Sequence, residues 1–222
     1  MYKRPMFTVA LNLNDRNKED EFNDWYNNVH LPMMTNIPGI VAGNRYEAVN
    51  SKDGEAQYLA TYQFVNMLAV GAVLKSPEFG AATEDLMKNW GTSMAPVEGL
   101  AEIYAGVGVS TGKPPVLPLA MNVLKPEKEY VFSQWFANEY LDEIRRLAGI
   151  EEASLYHVMI TKDPAQQARY FSLFTVESLE KYEVMVKTSA YQLLRNQLTE
   201  KIAEGIIKKA AGLGIVYINF EK

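Results

Sequence analysis

From Met6 to Leu13 apolar and polar side chains alternate, the period of a half-buried strand. The period then changes. Between Lys18 and Met34 the residues Phe22, Trp25, Tyr26, Val29 and Met33 fall on one helical stripe, and Pro38-Gly39 ends that segment. Ile40 to Ala48 and Gln57 to Phe64 return to strand patterning around the polar turn at 50–54. Asn66 is placed to cap a helix that breaks at Ser76-Pro77 and restarts toward Trp90, because Ser suits the N-cap and Pro the first helical position. Leu100 to Val109 completes the unit as a last strand. The pattern predicts βαββαβ.

The same pattern then occurs again. Ala10-Leu11-Asn12-Leu13 reappears 110 positions later as Ala120-Met121-Asn122-Val123, and Phe22, Trp25, Tyr26, Asn28 and Leu31 reappear as Phe132, Trp135, Phe136, Asn138 and Leu141. Further along the offset becomes 112: Tyr58 and Tyr62 match Tyr170 and Phe174, and Leu74-Lys75-Ser76 matches Val186-Lys187-Thr188. In the second copy Ser178 takes the capping part, and Tyr191 to Ala211 is expected as a longer helix with Leu194, Leu198 and Ile202 inward. The chain thus reads as two ferredoxin-like repeats, 1–110 and 115–222, joined through Pro114-Pro115. Two helices per repeat cover one face of each sheet. The fold class is α+β, and the uncovered faces are expected to pack face to face or to curl into a shared barrel, with an interior cavity lined by both copies.

Composition narrows the chemistry. A chain of 222 residues with no cysteine has no disulfide, no thiolate nucleophile and no cysteine-held metal centre. A net charge of −5 argues against a nucleic-acid partner. No window carries the apolar run of a signal peptide or a membrane span, so a cytoplasmic protein is expected. The charge is uneven: 8 basic and 13 acidic residues lie in 1–110, against 14 and 14 in 111–222.

Glu21-Phe22, Trp25-Tyr26, His30-Leu31-Pro32, Pro38-Gly39 and Arg45-Tyr46 together resemble the EthD-like branch of the dimeric α+β barrel superfamily. In that branch a helix of this type precedes a Pro-Gly turn and a strand carrying Arg-Tyr. The second copy keeps Phe132, Trp135, Leu141 and Gly149 but has lost the His-x-Pro and Arg-Tyr pairs. Relatives usually build the barrel from two chains, so the resemblance implies that one chain does both jobs here. It further implies an enzyme acting on an aromatic or polyketide-like molecule by dehydration, decarboxylation, cyclisation or isomerisation, a cofactor-free monooxygenase, or a non-catalytic binding barrel.

Two histidines are the near-neutral proton carriers. His30 lies beside Pro32, which is expected to kink the helix by removing an amide donor, and Tyr140 takes its place in the second copy. His157 is the second candidate. Tyr26, Arg45, Tyr46 and Tyr104 are candidate substrate contacts; alternation lets only one of Arg45 and Tyr46, and one of Tyr156 and His157, face the barrel interior. The structural alternative for Arg45 is an ion pair, with Glu47 on the same strand face as a candidate partner. No metal-ligand spacing is present, and the Gly-x-x-Asp-Gly signature of the superfamily's haem peroxidases is missing, so no metal or cofactor is expected. The expected partner is an apolar small molecule, with a homodimer through barrel or helix faces left open.

Overall fold

A computed structural model describes residues 4–160, 169–209 and 214–217. The first half runs β1 (Met6–Leu13), α1 (Glu19–Trp25), α2 (Leu31–Thr35), β2 (Ile40–Ala48), β3 (Glu55–Ala56), β4 (Tyr58–Phe64), α3 (Met67–Leu74), α4 (Pro77–Trp90), β5 (Met94–Ala95), β6 (Gly99–Leu100) and β7 (Tyr104–Gly106). The second repeats it as β8 (Val116–Val123), α5 (Glu129–Trp135), α6 (Leu141–Arg145), β9 (Ile150–Ile160), β10 (Tyr170–Val176), α7 (Leu179–Met185), α8 (Ser189–Ala203), β11 (Ile207–Lys209) and β12 (Gly214–Tyr217). Among the described residues no helix is long and apolar enough to cross a membrane.

Eight strands close into one antiparallel ring, in the order β8, β10, β9, β12, β1, β4, β2, β7 and back to β8. Each half's last strand crosses to the other half: β12 pairs with β9 and with β1, while β7 pairs with β2 and with β8. One chain therefore builds the two-repeat barrel. The β7–β8 seam is thin, with Tyr104 opposite Val116 as its one pair, and β11 takes up β8 again only at Met121. No described strand pairs with Leu117–Ala120 on that side. Pro118, which has no N–H to offer, lies within this stretch.

Alternation sorts the side chains as the pleat requires. Phe7, Val9, Leu11 and Leu13 pack outward against the first pair of helices, and Leu117, Met121 and Val123 do so against the second. The opposite faces meet inside the barrel, where Met6, Ala120, Tyr156 and Phe171 form one cluster and Tyr46, Leu59, Ala101, Tyr104 and Val116 another. Interlocking side chains thus occupy the space where a cavity between the sheets was expected.

The helix stripe also differs from expectation. A π turn at Tyr26–His30 lets the Leu31 amide donate to the Tyr26 carbonyl, adding a residue and shifting the phase. His30, Leu31 and Met34 turn inward, and Val29 is left 42% exposed. The second half has the same turn at Phe136–Tyr140, with the Leu141 amide on the Phe136 carbonyl, although no proline follows it. Pro32 is therefore not the cause of the distortion.

Side chains of Asn66, Ser76 and Ser178 cap their helices, each accepting an amide three residues on, and such caps contribute about 1 kcal/mol apiece. The last helix is shorter than the sequence predicts and stops at Ala203, before Gly205 with its positive φ of 65°. The expected continuation through 210 and 211 lies outside the described residues. The expected strand at 100–109 is reduced to β7, with β6 paired to β3 instead.

Candidate functional site

Three of the sequence candidates meet under the first helix. In the β2–β4 register Arg45 faces Ala60 and Tyr46 faces Leu59, which turns Arg45 to the helices and Tyr46 to the barrel interior. Arg45 is fully buried. Its guanidinium lies 4.4 Å from the Tyr58 ring, 4.7 Å from Tyr26 and 5.1 Å from Phe22, and it donates to the side-chain oxygens of Asn23 and Asn27. The alternative Arg45–Glu47 ion pair does not form: asparagine oxygens and ring faces hold the cation, and Glu47 acts on it only through its field. The Tyr26 and Tyr62 hydroxyls are 3.0 Å apart, and burial raises the pKa of both.

His30 closes this cluster from the end of the π turn. Its ring stacks on Trp25 at 5.1 Å and meets Tyr26 edge-on at 4.8 Å. Burial lowers its pKa to about 4, against the opposing pull of Asp85, so the imidazole is neutral at neutral pH. His30 Nδ1 and Asp85 Oδ2 are both buried without a hydrogen-bond partner, while Asp85 Oδ1 accepts from Asn89.

The remaining candidates lie elsewhere. His157 belongs to the other half, on the helix-facing side of β9 and edge-on to Tyr170 at 4.5 Å; burial lowers its pKa. Tyr156 is the residue of that pair that faces the barrel interior. Tyr104 is buried, with its hydroxyl donating to the Ala56 carbonyl and accepting from the Ala101 amide.

A cavity of about 250 Å³ opens beside the thin seam, between the helices and sheet of the second half. Leu117, Leu119 and Phe174 from the strands and Ile144, Met185 and Leu198 from the helices give it the apolar part of its lining. Tyr140, Tyr182, Tyr191, Glu102 and Arg195 bring polar atoms to it. Tyr191 donates to Glu102 Oε1 at 2.9 Å, Arg195 lies 3.9 Å from the same oxygen, and the Glu102 charge also acts on Tyr182. Burial first, then the Glu102 charge, raises the pKa of Tyr191 and takes Tyr182 to about 12; burial alone raises Tyr140. All three hydroxyls therefore keep their protons at neutral pH and can donate.

Glu102 comes from the first half, so both repeats build this site. Neither histidine lines it. The repeat carried a signal for it: at the established offsets Tyr140, Tyr182 and Tyr191 stand where the first copy has His30, Val70 and Phe79. Each substitution brings in a phenolic hydroxyl. Among the described residues no group of three or more acidic or histidine side chains could hold a metal ion.

No protein-family model matches the chain, and no curated protein matches it. Solved structures do share its fold. An anthrone oxidase-like protein is 10% identical, aligned over 98% of this chain and 92% of its own with a TM-score of 0.58. A candidate monooxygenase from Fusobacterium nucleatum is 13% identical over the whole of both chains with a TM-score of 0.54. An EthD family protein from Bacillus halodurans is 22% identical over 41% of this chain and 92% of its own, with a TM-score of 0.35. The full-length likenesses and the closed ring of strands show the fold: an α+β barrel of the dimeric kind, closed within one polypeptide.

Proposed function

We propose that the chain is a cofactor-independent enzyme that binds an apolar, aromatic small molecule in the second-half cavity and moves a proton on it. The observation that carries this reading is the convergence of three protonated tyrosine hydroxyls and one carboxylate on a cavity with a partly apolar lining. Tyr140 and Tyr182 are suited to donate to a carbonyl or phenolic oxygen, and Glu102 is suited to accept a proton relayed through Tyr191. Dehydration, decarboxylation, cyclisation and isomerisation each need that pair of roles. Oxygenation of a bound phenol is the alternative within the same pocket, and the likeness in fold to an anthrone oxidase-like protein supports keeping it.

A second reading places the base at His30. It is favoured by the buried, unpartnered Nδ1 of an imidazole that is unprotonated at neutral pH. Turnover by Tyr140→Phe and His30→Gln variants of proven fold separates the two. A loss of at least about 100-fold in kcat for Tyr140→Phe, with His30→Gln near wild type, supports the cavity. The reverse pattern moves the chemistry to the first half, and no turnover of any aromatic substrate with unaltered ligand binding identifies a binding protein.

A further inference from the structure

The cavity's opening carries charge that the roles above leave unused. Lys52 on the turn after β2, Arg195 on α8 and Lys209 on β11 all border it, so cations from three elements and both halves converge on one opening. The acids there are already engaged. Glu55 accepts from the Lys52 amide at 3.0 Å, and Glu102 accepts from Tyr191 with Arg195 at 3.9 Å. Lys52 and Lys209 make no salt bridge with any described residue. In a chain of net charge −5, the acidic excess lies wholly in residues 1–110. A cavity of mixed polar and apolar lining, with two uncommitted ammonium groups at its opening, suits an amphipathic guest.

We infer that the ligand is a flat apolar molecule bearing a carboxylate, bound with its body against Leu119 and Phe174 and its anionic end toward Lys52 and Lys209. This rests on the cavity being the binding site. The body supplies most of the affinity by leaving water. The carboxylate gains from two exposed cations, each contributing about a two- to five-fold factor at low salt, screened as salt rises.

Titration calorimetry with naphthoate and its neutral isostere naphthamide tests this, using the wild-type chain and a Lys52→Gln/Lys209→Gln variant. Both substitutions are at exposed positions and are expected to leave the fold intact. The wild type should bind naphthoate roughly four- to twenty-five-fold more tightly than naphthamide at low salt, and the double variant should bind the two alike. Equal affinity of the wild type for both overturns the inference and leaves the cavity reading standing. A carboxylate preference that survives in the double variant also overturns it, because the anion is then recognised elsewhere. Failure of both compounds to bind overturns the inference and the cavity reading together.

Discussion

Tyr140 stands in the second half where His30 stands in the first. Each ends a π turn, and each ring lies 4.8 Å from the ring four residues earlier, Phe136 in one case and Tyr26 in the other. They differ in chemistry at one backbone address, and Tyr140 is the one that borders the cavity. Tyr140→Phe removes a hydroxyl and little else, so thermal stability should stay close to wild type. Affinity for a ligand carrying a carbonyl or phenol should fall about three- to ten-fold, the value of one hydrogen bond, as read by calorimetry. Unchanged affinity would take Tyr140 out of the site.

His30 has a folded-state pKa of about 4 against an ordinary 6.5, because burial disfavours its charged form. Below 6.5 the unfolded chain binds the proton more readily, so stability present at neutral pH drains away as pH falls from 6.5 toward 4. The loss should approach about 3 kcal/mol. Denaturation of wild type and His30→Gln across this range checks it. The difference between their curves should carry the acid loss, and parallel curves would show that His30 does not titrate this way.

Arg45 is a buried cation held by asparagines and rings, and the second half holds Leu155 at the corresponding place. Replacing a buried charge by an apolar group of similar bulk is often neutral, whereas truncation leaves a void and unpaired acceptors. Arg45→Leu should therefore cost under about 2 kcal/mol and Arg45→Ala about 3 kcal/mol or more, measured by urea unfolding. Equal losses would contradict the assignment of Arg45 to packing.

Tyr104 spends its hydroxyl on two buried backbone groups, the Ala56 carbonyl and the Ala101 amide. Tyr104→Phe should lower stability by about 1 to 3 kcal/mol while leaving ligand affinity unchanged. A large affinity loss with full stability would restore Tyr104 as a substrate contact.

The repeat, the order of elements along each half and three of the helix caps can be read from the sequence because they depend on local periodicity and single capping side chains. The π turns cannot. Val29 fits an ideal helical stripe, and only the observed hydrogen bond from Leu31 to Tyr26 shows that a residue has been added. The site was legible only in part. Tyr26, Arg45 and His30 do cluster, as the motif in the first copy suggests. Glu102 was hidden, because its role depends on a segment of one half crossing to the helices of the other, a contact with no local signature. The three tyrosines of the cavity were visible only as departures from the repeat.

The central claim is that a small apolar molecule binds in the second-half cavity. Methyl NMR of the chain labelled at Ile and Leu tests it, with naphthol added as ligand. Leu117, Leu119, Ile144 and Leu198, which line the cavity, should shift, with Leu11, Leu31 and Ile40 beneath the first pair of helices unmoved. Shifts confined to Leu11, Leu31 and Ile40 would contradict it and move the site to His30.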